Sequence, residues 1–248
     1  MKFYAVSDIG KTRTINQDNC KILEDKDFIL MILADGMGGH NAGEVASEVC
    51  VNSFLEFYYK NKSKLSPLEL IDRGVSYSNE SIYKMSKENP KYNKMGTTVV
   101  VSLIHDNICY IGHVGDSRAY VKNEYGFRQI TKDHSLLNDL VKDFDFNEEE
   151  IKSHINKNII TRAVGTSPNV KVDSVVLELE KGSYILLCSD GLTNELSDEI
   201  ITHNIKDELP LKEIGDNLID SANQNGENAG GVFGFVAGLW CYYALSDK

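Results

Sequence analysis

Phe28-Ile29-Leu30-Met31-Ile32-Leu33-Ala34 runs without a charge into Asp35-Gly36-Met37-Gly38-Gly39-His40. A short apolar run flanked by polar or glycine residues is the pattern of a buried strand. Three glycines in the four places after Asp35 let backbone carbonyls and amides come close to a ligand, and Asp35 supplies a hard oxygen donor. The stretch invites a metal ion. It also reads as an acidic hairpin turn, because Asp-Gly is a common turn dipeptide.

The device recurs. Gly115-Asp116-Ser117-Arg118 and Ser189-Asp190-Gly191 each follow an apolar strand and place an aspartate at its end. Three acids at strand ends can converge in one fold. Mg²⁺ and Mn²⁺ prefer carboxylate, carbonyl and water ligands, whereas zinc draws on Cys or His, so the acids point to Mg²⁺ or Mn²⁺. Between the first two strands, Arg13-Thr14-Ile15-Asn16-Gln17-Asp18 sets a guanidinium and a carboxylate a few residues apart. Arginine grips phosphate through a planar fork of donors, although an arginine such as Arg13, taken alone, is more often a surface ion-pair residue.

Outward from these motifs, strand patterns are expected at 3–6 and 28–34, and helical spacing at 44–59. A second helix starts near Ser66-Pro67, where proline suits the first turn, and continues through Met85. Residues 97–130 turn to β pattern at 97–101, 108–111, 119–121 and 127–130, separated by hairpin-like punctuation. A polar helical excursion at 136–155 precedes strands at 172–179 and 184–188, and helical patterns return at 197–204 and 211–223. Helix pair, strand block, helix pair is the order of an α+β protein with a sheet core covered by helices on both sides.

No linker, low-complexity block or repeat divides the 248 residues, which read as one unit. A formal charge of −11 gives no broad basic surface and disfavours nucleic acid or anionic membrane as partners. The five cysteines, Cys20, Cys50, Cys109, Cys188 and Cys241, are odd in number and widely spread, which argues against a disulfide framework or a structural zinc site. The N-terminus lacks a signal-peptide apolar core, so a cytoplasmic location is expected.

The ordered set Arg13-Thr14-Ile15-Asn16-Gln17-Asp18, Asp35-Gly36-Met37-Gly38-Gly39, Gly96-Thr97-Thr98, Gly115-Asp116-Ser117-Arg118 and Ser189-Asp190-Gly191 resembles the metal-dependent protein phosphatases of the 2C class, especially their compact bacterial members. The match runs from about residue 3 to about 225. Each motif is short, but five in the family's order form a specific signal.

The resemblance implies a central β-sandwich of two antiparallel sheets flanked by antiparallel helix pairs, a four-layer αββα arrangement, with a metal site at one end. Asp35 would bridge two metal ions, the Gly36 carbonyl would bind one, Asp190 the other, and Asp18 would hold metal-bound waters. Arg13 would clamp the substrate phosphate. Asp116 would serve a third, weaker ion, and residues 136–166 resemble a mobile flap beside the site. Hydrolysis of phosphoserine and phosphothreonine in proteins would follow from in-line attack by a hydroxide bridging the two ions. No cysteine sits in a Cys-x5-Arg loop, which agrees with the absence of a thiolate mechanism. Met37 stands where many eukaryotic relatives carry a histidine, leaving a metal-bound water or His40 as proton donor. Partners implied are phosphoprotein substrates, including a cognate serine/threonine kinase, and the chain is expected to be a monomer.

One departure stands out. Family members usually end with Gly-x-Asp-Asn, whereas here Asn225-Gly226-Glu227-Asn228-Ala229-Gly230-Gly231 is followed by no aspartate before Leu245. Weakened binding of one metal is expected, and a phosphoprotein-binding relative without turnover is the alternative function. The uncharged segment 229–245 reads as the last buried strands, as an altered C-terminus, or as a membrane tail with Gly230 and Gly234 in GxxxG spacing. Its length as a helix, about 25 Å, falls short of the usual ~30 Å hydrocarbon core.

Overall fold

The computed structural model describes residues 2–11, 13–26, 28–38, 42–144, 159–229 and 235–237. Its centre is β3 (Ile29–Met37), and the run of apolar residues in that strand has a direct geometric cause. Successive side chains of a strand point to opposite faces. Leu30, Ile32 and Ala34 meet two helices, while Ile29, Met31 and Leu33 meet a second sheet. A strand buried on both faces leaves no position for a polar residue until the chain reaches the rim.

β3 lies between β2 (Asp18–Glu24) and β5 (Val99–His105), and the sheet continues through β6 (Ile108–Val114) to β9 (Asp173–Glu178). The two-residue β4 (Gly96–Thr97) pairs with the far end of β3. All these pairings are antiparallel. The facing sheet has β7 (Arg118–Asn123) between β8 (Gly126–Gln129) and β10 (Tyr184–Cys188). In β10 the alternation repeats: Ile185 and Leu187 enter the space between the sheets, and Tyr184, Leu186 and Cys188 turn outward.

Outside the larger sheet lie α1 (Ala42–Asn61) and α2 (Pro67–Glu88). Ser66 caps α2 in a reciprocal box with Glu69, and Pro67 takes the first turn, where no N–H partner is lost. Outside the smaller sheet lie α5 (Asp198–Asn204) and α6 (Leu211–Ala229), with Ile201, Ile214 and Leu218 against Tyr120 and Leu186. Three apolar interfaces thus separate four layers, the αββα arrangement expected. Two short α-helices also lie among the described residues, α3 (Leu136–Phe144) and α4 (Asp190–Thr193). Cys20, Cys50, Cys109 and Cys188 are free thiols; Cys241 lies outside the described residues.

Several local expectations are corrected. β2 has no counterpart in the sequence pattern, because as an edge strand it is only partly buried and its apolar positions Cys20, Ile22 and Leu23 break strict alternation. The first strand is β1 (Val6–Asp8) rather than 3–6, and its partner is β11 (Phe235–Ala237). The expected strand 97–101 is divided between β4 and β5, where the chain passes from pairing the end of β3 to pairing its middle. The last helix continues beyond 223 to Ala229, so Gly226, Glu227 and Asn228 are helical. Of the expected helical excursion 136–155, α3 covers the start; residues 145–155, and most of 229–245, lie outside the described residues.

Lys94, in the turn before β4, holds φ at +63°, a left-handed conformation that costs most side chains about 1–2 kcal/mol. Glycine relieves this but loses more freedom on folding. Lys94→Gly is therefore expected to stabilise the protein by a net of about 0.5–1 kcal/mol, read as a higher urea midpoint.

Candidate metal centre

Asp35 and Gly36 do not form a turn. They lie within β3, which the register shows at both residues: Asp35 is opposite Asp18 on β2, and Gly36 is opposite Thr97 on β4. The turn comes later, at Gly38. Glycine at 36 answers to packing, since a Cβ there would stand 2.0 Å from the Gly43 carbonyl oxygen and 2.7 Å from that of Gln17.

The backbone around Asp35 is pinned from three sides. Its N–H donates to Thr98 Oγ1 at 3.0 Å, and its carbonyl accepts from the Thr98 N–H and from Thr97 Oγ1, both at 2.8 Å. Gly36 N–H donates to the Gln17 carbonyl at 3.0 Å. Thr98 Oγ1 is also 2.6 Å from Ser117 Oγ, so one threonine links the strand of Asp35 to the turn of Asp116. That turn follows β6, with Gly115 at φ +104°. Gly115 donates its N–H to His134 Nδ1 and accepts from the His134 N–H, both at 3.0 Å.

Asp190 opens α4 directly after β10, and its Oδ2 accepts from Asn194 Nδ2 at 3.0 Å. The neighbouring Ser189 hydroxyl donates to Asp18 Oδ2 at 2.8 Å. Arg13 is exposed and donates through Nη1 to Gln17 Oε1 at 2.6 Å. Arg13, Asp35, Gly36 and Asp190 line one cleft of about 250 Å³, with Met37 and Ile160 at its sides. Asp18 and Asp116 do not line it, but both act on Asp35 through their charges.

The electrostatics of these acids call for cations. Burial pushes Asp35 well above the usual carboxylate range, reinforced by the charges of Asp18, Asp190 and Asp116. Burial and the charge of Asp190 push Asp18 up to about 7 against the hydrogen bond from Ser189. Burial, then Asp190 and Asp133, push Asp116 up to about 7 as well. Asp116 Oδ1 is buried without a hydrogen-bond partner, which is costly unless a ligand meets it. Among the described residues no three Asp, Glu, His or Cys side chains close on a single point. Magnesium-type ions need no such cage, because they keep several waters and take one or two carboxylates. The donor set therefore fits small divalent ions.

In the metal-free protein, Asp18 and Asp116 keep a proton in the fold that the unfolded chain releases near 3.8. Stability from these groups is complete in acid and is lost as pH rises from about 4 through about 7. The melting temperature of EDTA-treated protein is expected to fall over that range, and saturating Mn²⁺ is expected to flatten the slope, both read by thermal scans.

What sequence motifs alone did not reveal is the second tier of this centre: Thr98, Ser117 and Ser189, which hold the acids in place. All three sit inside the quoted motifs, yet only the sheet register shows what they touch. His40, Glu227 and Asn228 have no described side chains.

An αββα sandwich with a cation-demanding acid cluster at one end is the layout of a metal-dependent phosphatase. The Protein phosphatase 2C family model matches residues 10–229. The serine/threonine phosphatase stp of Listeria monocytogenes is 35% identical over 224 residues, 89% of either chain. The S. agalactiae serine/threonine phosphatase superposes with a TM-score of 0.88 at 36% identity, covering 98% of this chain and 99% of that one. The catalytic domain of the serine threonine protein phosphatase PstP, in complex with two manganese ions, gives 0.79 at 30% identity, covering 96% and 97%. The chain belongs to the protein phosphatase 2C family and is an enzyme, a protein serine/threonine phosphatase that uses divalent metal.

Proposed function

We propose that the protein hydrolyses phosphoserine and phosphothreonine in phosphoproteins at the cleft shared by Arg13, Asp35, Gly36 and Asp190. The meeting of a guanidinium with two carboxylates of a cation-demanding cluster carries this reading. Asp35, the Gly36 carbonyl and Asp190 hold the two catalytic ions, Asp18 orients water around them, and Asp116 serves a third. When bound, the ions make water nucleophilic near neutral pH and offset charge on the phosphoryl oxygens.

This chain's own groups supply binding and orientation. Arg13, at the exposed mouth, takes phosphate oxygens through its fork of donors, and its bond to Gln17 holds the fork in place. Ser189 holds one Asp18 oxygen, leaving the carboxylate fixed in direction. Thr97 and Thr98 fix the Asp35 peptide, so the carboxylate enters the cleft from a rigid strand. Met37 brings no proton to the leaving oxygen. The ions are Mn²⁺ or Mg²⁺, and the manganese-bound relative supports the former.

The substrates include a cognate serine/threonine kinase, and the enzyme acts as a cytoplasmic monomer. Among the described residues no helix is long and apolar enough to cross a membrane. The chain forms a single phosphatase domain, and Ile160, within the stretch 136–166 that resembles the family's flap, lines the cleft. The binding-only alternative gains nothing from the relatives, which carry phosphatase names.

Arg13→Ala tests the phosphate clamp. KM for a phosphothreonine peptide is expected to rise about tenfold with a smaller fall in kcat, as for loss of one charge-assisted contact of roughly 1.5–3 kcal/mol. An unchanged KM in steady-state phosphate release would remove Arg13 from the site.

A further inference from the structure

Asn79 lies on α2, away from the metal centre, and is 2% exposed. Every polar atom of its carboxamide is spent on one segment of chain. Oδ1 accepts from the Gly165 N–H at 2.7 Å, and Nδ2 donates to the carbonyls of Ser167 at 3.0 Å and Pro168 at 3.2 Å. One acceptor and two donors at fixed places define the side chain as an amide; neither a carboxylate nor a hydrocarbon of that shape satisfies all three. Gly165 seats the segment tightly on α2, with φ at +87° and no room for a Cβ, which would stand 2.1 Å from Ile82 Cγ2.

From there a chain of hydrogen bonds runs to Asp35. Val164 exchanges both backbone bonds with Thr97, at 3.0 and 2.9 Å. Thr97 Oγ1 and the Thr98 N–H both donate to the Asp35 carbonyl, and Thr98 Oγ1 accepts the Asp35 N–H. The same segment leads in the other direction to Ile160 in the cleft, through Thr161, whose N–H donates to the His134 carbonyl at 2.9 Å. His134 in turn holds the Gly115 turn beside Asp116.

We propose that Asn79 is a positioning residue for the metal centre, setting the segment 164–168 and, through Thr97 and Thr98, the placement of Asp35. The inference rests on Asp35 being a metal ligand. Groups that orient a ligand from behind typically govern metal affinity by 10–100-fold. A purely structural anchor would lower the melting temperature and leave metal affinity of the folded protein alone.

The test is calorimetric titration of Mn²⁺ into the purified full chain, with wild type and Asp35→Asn as references. Asn79→Asp keeps the acceptor for Gly165 but sets oxygen against the Ser167 and Pro168 carbonyls. It is expected to bind Mn²⁺ about tenfold or more weakly while turnover of p-nitrophenyl phosphate returns toward wild type at saturating Mn²⁺. Thr97→Val cuts the same chain near Asp35, and the double variant is expected to bind no worse than the weaker single one. Asn79→Ser, which adds no charge, carries the same measurement if Asn79→Asp does not fold. Wild-type Mn²⁺ affinity in a folded Asn79 variant, or additive losses in the double variant, would overturn the positioning role and leave the metal centre intact. Equal Mn²⁺ binding by wild type and Asp35→Asn would instead overturn the metal centre and this role with it.

Discussion

Asp35→Asn is expected to reduce metal-dependent phosphate release roughly a thousandfold or more at any attainable metal concentration, in a protein that still folds. The substitution preserves volume and removes one charge and one hard donor. Asp35 is the acid on which the charges of Asp18, Asp190 and Asp116 all act, so it sits at the focus of the cluster. On the proposed reading, Asp35 would be a metal ligand, and its loss would leave Asp190 and the Gly36 carbonyl to hold the ions without it. Asparagine avoids the cost of burying a carboxyl group there beside other acids, so the metal-free variant is expected to be at least as stable as metal-free wild type. The pair of measurements, initial rates with Mn²⁺ and melting in EDTA, separates loss of function from loss of fold. A rate within tenfold of wild type would remove Asp35 from the catalytic set.

Gly36→Ala has the largest effect expected on folding. Added atoms in a packed interior typically cost about 1–3 kcal/mol, and the cost rises when the obstacle is backbone. Here both obstacles are backbone oxygens, those of Gly43 and Gln17, so no rotamer change relieves the clash. A loss of about 3 kcal/mol is expected in urea denaturation, together with loss of activity, because separating β3 from the start of α1 displaces the Asp35–Gly36 peptide. Wild-type stability would mean that the approach of the three backbone segments is looser than described. Gly126→Ala offers the contrast: its φ of +123° is strained, but a Cβ there meets nothing within 4 Å.

Much of the layering was legible from hydrophobic pattern, and the reason is visible in β3 and β10. A strand covered on both faces must be apolar throughout, which marks it in sequence. β2 escaped because an edge strand is under weaker compositional demand, and with it escaped the pairing of Asp18 with Asp35. The acids themselves were legible as Asp-Gly and Gly-Asp motifs, but the meaning of the first was not. A glycine needed for a turn and a glycine needed for close approach look alike in sequence, and Gly36 proved to be the second kind. The convergence of Asp35, Asp190 and Arg13 on one cleft depends on sheet order, which no local pattern encodes. Asn79 illustrates the same limit, since its partners lie 86 to 89 residues away.

The most direct measurement is phosphate release from a phosphothreonine peptide by the purified protein across a titration of Mn²⁺, with an EDTA control at each enzyme concentration. Release that rises to saturation with Mn²⁺ and vanishes in EDTA is the predicted result, and it places catalysis in a divalent-metal site. Release that persists undiminished in EDTA, or no release at any Mn²⁺ concentration from protein shown to be folded, would contradict the account.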